Sequence, residues 1–340
     1  MVISKTPCRI SLAGGGSDMA AFYEREQGAV VSATIDKYIY VLANAKFDQR
    51  VRISYSRTEE VDRADQIEHP IARESLKLFR QLRGIEIVSV ADIPSRGSGL
   101  GSSSAYTVGL LNSLFAFSAQ RAGAEELARL AAKVEIELCG QPIGLQDQYA
   151  VAYGGLNFMA FERNARVTVS PIVCTACVLD RLEERLGLYY TGVTRAAGSI
   201  LETQSRAMRQ RPRAFAIMQR MVELSRRMRL ELEAGNVESV GEMLHEGWML
   251  KRALTAGITS PAIDEYYARA RAAGAVGGKL LGAGGGGFML FFASAPAHER
   301  IGAALKLRRV PFAFEREGSK IVFYQPQALE MEGPARRAAS

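Results

Sequence analysis

The sequence predicts a mixed α and β chain folded as two domains. Three observations predict it. Strand-like and helix-like segments intermingle through the first half. The composition shifts after "YGGLNFMAFE", and long helical patterns follow. The length of 340 residues suits two domains at roughly 100–200 residues each. We place the boundary within 165–185 and divide the chain into 1–175, 176–330 and a loose tail at 331–340.

The elements follow in order. "VVSATIDKYIYVLANAKF" is rich in β-branched and aromatic residues and reads as strand, and "RVRISYS" alternates as a half-buried strand does. "HPIARESLKLFRQL" carries apolar residues at helical spacing and stops near Gly84. "IEIVSVADIP" is a strand ending at Pro94, and a helix follows across "SSSAYTVGLLNSLFAFSAQ". "AEELARLAAKVEIELCG" is an amphipathic helix with Gly140 as its stop. Its apolar stripe is Leu127, Leu130, Val134 and Leu138, flanked by Glu135 and Glu137. "PIVCTACVL" reads as a strand holding two buried thiols, Cys174 and Cys177. "LGLYYTGVTR" is strand then loop. Two long helices then run through "FAIMQRMVELSRRMRLELEAG" and "ESVGEMLHEGWMLKRAL", where Trp248 reads as core. A strand at "KIVFYQ" ends the ordered part.

Composition excludes several function classes. The net charge of +7 comes from scattered basic residues, so an anionic small molecule fits better than nucleic acid, which needs a patch. No apolar run reaches the ~18 residues of a membrane span, and "MVISKTPCRISLAGGG" lacks a secretion leader's pattern. A single CxxC with no histidine at ligand spacing argues against zinc. Three histidines argue against a Ser–His–Asp hydrolase. The expected setting is a reducing cytoplasm, with an oligomer allowed.

The chemistry concentrates in glycine-rich segments. "DIPSRGSGLGSSSA" places Gly97, Gly99 and Gly101 between a strand and a helix. Alternating glycine bares the backbone, and loop amides with a helix's first turn make an anion site. Serines there add oxygens for phosphate or a hydrated Mg²⁺. The stretch is neither a Walker loop nor a Rossmann turn. "GAGGGG" at 282–287 does match GxGxxG, but the strand "FMLFF" follows where a helix should. "LAGGGSD" at 12–18 is a third such segment, and three together suggest a phosphorylated ligand.

In that order and spacing, the segments resemble the three motifs of the GHMP small-molecule kinases, the superfamily of galactokinase, homoserine kinase and mevalonate kinase. "TPCRISLAGGGSD" is similar to the first motif, "PSRGSGLGSSSA" to the second and "KLLGAGGGGFMLFF" to the third. Within the superfamily the chain resembles the D-glycero-α-D-manno-heptose 7-phosphate kinases, through "RISLAGGGSD", "QDQYA", "YTGVTR" and "WMLK". The fucose kinases share the triple-glycine first motif. The resemblance implies an α+β fold. Its N-terminal domain is like ribosomal protein S5 domain 2, its C-terminal domain is ferredoxin-like, and the site lies between them. It implies ATP, Mg²⁺ and a sugar phosphate as ligands.

The resemblance also assigns roles. Asp147 would orient the acceptor hydroxyl and take its proton, and Arg9 would meet the charge of the transferring phosphoryl group and hold Asp147 ionised. Pro94, Gly97, Ser98, Gly99, Leu100, Gly101, Ser102, Ser103 and Ser104 would wrap ATP. Glu135 with Ser103 would hold Mg²⁺. Gly14, Gly15, Gly16, Ser17 and Asp18 would bind the sugar, and "GAGGGG", with Gly284 and Gly285, would back the substrate or the phosphate loop by letting backbone approach closely. Galactokinases carry Glu-His where this chain has Gly15 and Gly16, and the lost bulk and charge would admit a longer, phosphorylated sugar. Arg195, Lys251, Lys279 and Arg96 are candidates to hold that phosphate. The implied reaction phosphorylates the anomeric hydroxyl of heptose 7-phosphate, giving the 1,7-bisphosphate. Another sugar 1-kinase, a decarboxylase of the diphosphomevalonate type and a catalytically dead sensor are the alternatives. Presence of Arg9, Glu135 and Asp147 together favours catalysis.

Overall fold

The computed structural model describes residues 1–79, 83–94, 97–193 and 198–326. The first part of the chain is built on long strands. β1 (Val2–Ala13) is almost wholly buried, and a short helix α1 (Ala20–Tyr23) leads into β2 (Gly28–Ala45). β3 (Val51–Ser54) and β4 (Thr58–Val61) form a hairpin. Then come α2 (Pro70–Leu78), β5 (Ile85–Ala91) and α3 (Ser102–Phe117). α4 (Ala124–Ala132) runs on as a π-helical turn over Lys133–Leu138. α5 (Gln146–Tyr153), β6 (Leu156–Glu162) and β7 (Arg166–Pro171) complete this part.

These strands and β12 (Lys320–Tyr324), which comes from far along the chain, make an eight-stranded sheet in the order β12-β1-β2-β5-β3-β4, with β6 joined to β2 and β7 to β6. β2 is long enough to serve two neighbours beyond β1. Its first half pairs with β6 and its second half with β5. α3 packs across β1 and β2, and most of its side chains are buried, which is why its sequence shows no polar face.

The second part is helical around a small sheet. α6 (Ala176–Arg185) leads to β8 (Leu186–Tyr190), followed by α7 (Gly198–Gln210), α8 (Pro212–Glu233) and α9 (Ser239–Leu254). α10 (Pro261–Ala272), β9 (Gly277–Leu280), β10 (Phe288–Phe292), α11 (Ala295–Leu305) and β11 (Arg308–Val310) follow. The four strands pair antiparallel in the order β11-β8-β10-β9, with α9 against β9 and β10. Trp248 is fully buried in this core. The chain then returns, and β12 (Lys320–Tyr324) pairs with β1 in the first sheet. No described helix is long and apolar enough to cross a membrane.

One segment differs from its sequence reading. "PIVCTACVL" ends β7 and then opens α6, so Cys174 is half-buried and Cys177 is exposed. Apolar content alone does not separate a buried strand from a helix whose apolar residues face the core. Val178 and Leu182 do that here, at helical spacing.

Candidate active site

The site is assembled where three glycine-rich segments meet between the sheets. Gly97, Gly99 and Gly101 all have positive φ, at 66°, 76° and 71°. That coils the loop back on itself before α3, whose first-turn amides have no side-chain cap. The loop is held from behind by the third motif. A Cβ on Gly282 would lie 2.6 Å from the Cα of Gly99, and one on Gly287 would lie 2.5 Å from the carbonyl oxygen of Ser98. The glycines of "GAGGGG" thus let two backbones interlock. From in front, the Arg9 amide donates to the Leu100 carbonyl at 2.9 Å. Ser98 and Ser102 hydroxyls sit 3.1 Å apart, and the Leu100 amide donates to Ser98 at 3.3 Å.

Arg9 stands in the middle of the buried stretch of β1 and is itself 3% exposed. Its Nε and Nη2 each donate to the Asp147 carboxylate at 2.8 Å, and its Nη1 donates to the Gly99 carbonyl at 2.6 Å. One guanidinium therefore ties the first turn of α5 to the phosphate-type loop. Ser11 donates to Gln146 at 2.7 Å, and Gln146 donates to Asp147 at 3.0 Å. Asp147 thus accepts three hydrogen bonds from two residues and lines the cleft.

Glu135 departs from the regular helical reading. The π-helical turn adds a residue's worth of rotation, so Glu135 points inward and is fully buried, while Leu138 of the expected apolar stripe is exposed and Glu137 faces solvent. Its carboxylate accepts from Ser103 at 2.9 Å, Ser104 at 2.7 Å and Gln148 at 2.6 Å. Burial pushes its pKa up, and those hydrogen bonds oppose the shift. Ser103 lines the cleft and Glu135 stands behind it. This is an all-oxygen donor set of the hard kind that Mg²⁺ takes.

Asp18 is buried and holds the next turn in place. It accepts from the Gly16 amide at 2.8 Å and the Gln146 amide at 3.1 Å, and its carbonyl accepts from the Leu145 amide at 3.1 Å. Burial pushes its carboxyl pKa up. A Cβ on Gly144 would come within 2.0 Å of its Oδ2, so a glycine is required there. Gly15 and Gly16 line the cleft beside it. Gly14 and Ser17 do not. A Cβ on Gly14 would strike the Ala29 carbonyl at 1.9 Å, and Ser17 exchanges hydrogen bonds with the Ala29 backbone. Lys251 and Lys279 also line the cleft and are buried.

The cleft has a volume of about 980 Å³. The structure brings Arg9, Asp147, Asp18, Gly97, Ser98, Gly99, Gly101 and Ser102 to Ser104 to its wall. It leaves Leu100 in the core and Pro94 outside the lining. Gly284 and Gly285 pack on Ile258, and Gly282 and Ala283 take the wall position instead. Arg195 and Arg96 lie outside the described residues. Sequence reasoning missed the apolar end of the cleft, where Tyr55, His69 and Tyr106 meet edge to face, with ring centroids 4.7 and 5.4 Å apart. Gln204, buried on α7, also lines the cleft without having been singled out. Neither set sits in a motif, so only the fold reveals them.

Comparison with known families decides the identity. The profile of the GHMP kinases N terminal domain matches residues 66–155, and that of the GHMP kinases C terminal matches residues 228–309. The chain belongs to the GHMP kinase family. It is an ATP-dependent phosphotransferase acting on an alcohol. It is 29% identical to a D-glycero-alpha-D-manno-heptose 7-phosphate kinase of Campylobacter jejuni, over 93% of this chain and 97% of that protein. A crystal structure described as a D-glycero-D-manno-heptose 1-phosphate kinase from Bacteriodes thetaiotaomicron superposes with a TM-score of 0.77, at 27% identity, covering 96% of this chain and all of that one. The galactose complex of Lactococcus lactis galactokinase, at 18% identity and a TM-score of 0.74, shares the fold over 94% of each chain. Both of these relatives, matched almost end to end at more than a quarter identity, carry the names of heptose phosphate kinases.

Proposed function

We propose that this GHMP kinase transfers the γ-phosphoryl group of ATP to the anomeric hydroxyl of D-glycero-D-manno-heptose 7-phosphate, giving the 1,7-bisphosphate. The observation that carries the reading is the Arg9–Asp147 pair, fixed by two 2.8 Å hydrogen bonds and tied to Gly99 of the phosphate-type loop. A carboxylate and a permanent cation so placed suit an acceptor hydroxyl and a phosphoryl group that meet between them.

In this reading the acceptor hydroxyl lies against Asp147. Its proton passes to the carboxylate as its oxygen bonds to the γ-phosphorus, and the bond from that phosphorus to the bridging oxygen breaks, releasing ADP. Arg9 neutralises charge on the transferring group. The amides at the start of α3 and the bared backbone of Gly97 to Gly101, with the Ser102 to Ser104 hydroxyls, receive the ATP phosphates. Tyr55, His69 and Tyr106 offer a ring-lined wall for the base. Ser103 and Glu135 would hold Mg²⁺, which supplies charge neutralisation on the phosphates. Asp18, fixed by two backbone amides, would accept from a sugar hydroxyl, and the side-chain-free Gly15 and Gly16 leave room for a seven-carbon phosphate. The heptose names of the relatives support this choice of sugar.

The test is ATP turnover with Mg²⁺ against heptose 7-phosphate, heptose, fucose, galactose, mannose and mevalonate, with products read by ³¹P NMR. A new anomeric phosphate with heptose 7-phosphate alone is expected. Equal kcat/KM for heptose and its 7-phosphate would sink the phosphorylated-acceptor reading, and turnover of fucose alone would replace it with a fucose kinase.

A further inference from the structure

Two cations in the cleft have no assigned counterpart. Lys251 stands on α9 and Lys279 on β9, and each is 6% exposed while lining the cleft wall. Lys251 Nζ donates to the Gly282 carbonyl at 2.5 Å. Lys279 Nζ donates across to the first sheet, to the Ser11 carbonyl at 2.8 Å and the Leu12 carbonyl at 3.3 Å. Neither forms an ion pair with a carboxylate among the described residues. An ammonium carries three N–H donors, so two on Lys251 and one on Lys279 stay uncommitted. Buried charges are ordinarily paired, because leaving water uncompensated is expensive.

The surroundings sharpen this. Asp18 and Asp147 attract Lys251, while Arg9 repels both lysines and Lys251 repels Lys279. Burial comes first and repulsion adds to it. The Lys251 pKa falls to about 8 despite its two carboxylates, and the Lys279 pKa falls well below its ordinary value. The protein thus keeps two mutually repelling basic groups in one cleft wall, each with N–H capacity that its backbone hydrogen bonds leave uncommitted.

We propose that Lys251 and Lys279 together form a seat for a phosphate dianion in the cleft. Its source is either the acceptor's own phosphate or the phosphoryl group under transfer. The first source rests on the phosphorylated-acceptor reading, and the seat itself does not. A dianion offsets the repulsion, completes the open donors and restores the protons that burial disfavours. Binding at the seat is therefore coupled to proton uptake, and it weakens as pH rises above about 8, the Lys251 value.

Calorimetry of the full chain at pH 8, in two buffers of different ionisation heat, reads this directly. The probes are inorganic phosphate, heptose 7-phosphate, heptose and an ATP analogue with an uncleavable β–γ bond. Net proton uptake is expected with inorganic phosphate and none with heptose. Uptake with heptose 7-phosphate but not with the nucleotide analogue assigns the acceptor's phosphate, and the reverse assigns the transferring group. Lys251→Met and Lys279→Met should each weaken the effective probe at least about tenfold and remove the uptake, in line with a lost charged hydrogen bond. The wild-type proton count stands by itself should either variant fail to fold. A chain that takes up protons with inorganic phosphate yet turns over no sugar phosphate keeps the seat and loses the heptose reading. Lys251→Met and Lys279→Met variants that fold and still bind inorganic phosphate, heptose 7-phosphate and the nucleotide analogue as tightly as the parent chain overturn the seat and leave Lys279 as a tie between the two sheets.

Discussion

Arg9 and Asp147 lie 138 positions apart and meet through two hydrogen bonds of equal length. Asp147→Asn keeps the side chain's size but removes the proton acceptor and the charge that faces Arg9. Its kcat should fall by about 10²–10⁴-fold, with KM for ATP little changed, in steady-state kinetics on folded protein. Arg9→Lys should also be costly, because a point charge cannot serve Asp147 and the Gly99 carbonyl together. The buried Lys251 gives a stability signature in the ligand-free protein. Its pKa falls from 10.5 to about 8 on folding, so the unfolded chain binds more protons between those values. Its unfavourable contribution is full below about 8 and fades as pH rises towards 10.5, and denaturant midpoints should rise across that window relative to Lys251→Met. Much at this scale is legible in the sequence, since Arg9, Asp147, Asp18 and the three serines stand inside recognisable motifs. Gln204 and the Tyr55, His69 and Tyr106 rings are not legible, because nothing local marks which separated residues a fold will place on one wall.

The elements show where local pattern succeeds and where it stops. The strand, glycine loop and helix around residues 85–117 can be read from the sequence because alternation, glycine and helical spacing follow one another without a break. The inward turn of Glu135 cannot, since a π-helical turn breaks the period on which the stripe argument rests. The third motif is an element whose role is legible in outline and whose contacts come from packing. The strand after its GxGxxG spacing argues against a nucleotide turn and its glycines suggest a backing role, but which glycine meets which loop residue is set by packing, with Gly282 against Gly99 and Gly287 against Ser98. Gly282 has φ +75°, and an added Cβ would meet Gly99 Cα at 2.6 Å with no flexible side chain to yield. Gly282→Ala should therefore displace the loop, raising KM for ATP at least about tenfold and lowering stability by about 1–3 kcal/mol. Gly235→Ala is the control. It has φ +81° but only an ordinary 3.6 Å contact with Val178, so it should lose stability while leaving KM for ATP unchanged. Equal KM effects in both variants would reduce the interlocking of the two loops to backbone strain.

At the scale of the molecule, the chain's end returns to its beginning. "KIVFYQ" reads as a strand, but its partner does not follow from the sequence, because pairing between opposite ends of a chain leaves no local trace. The structure puts β12 against β1, matching Val2 with Tyr324 and Lys5 with Lys320. The segment leading to it straps β2 and α5. The Glu315 amide donates to the Thr34 carbonyl at 2.9 Å, and the Glu315 carbonyl accepts from the Thr34 hydroxyl at 2.6 Å. The Ser319 amide donates to the Val151 carbonyl at 3.1 Å, on the helix whose first turn carries Asp147. A Cβ on Gly154 would lie 2.1 Å from the Glu317 backbone, so the strap and the end of α5 fit without space to spare. The strap thus braces both elements that hold the central pair, β1 with Arg9 and α5 with Asp147. A chain ended after Val310 removes it and leaves β1 as a bare sheet edge, a template for association. Its melting temperature should fall by about 5–10 °C, the equivalent of a few kcal/mol in a domain of this size. The loss should appear in kcat as well as in stability, measured below the new melting temperature, because the bracing acts on the pair itself. Self-association should rise with concentration in sedimentation. A truncated chain that melts lower but keeps its kcat would confine the strap to holding the sheet, and Arg9 and Asp147 would then owe their alignment to the Gly99 and Gln146 contacts alone.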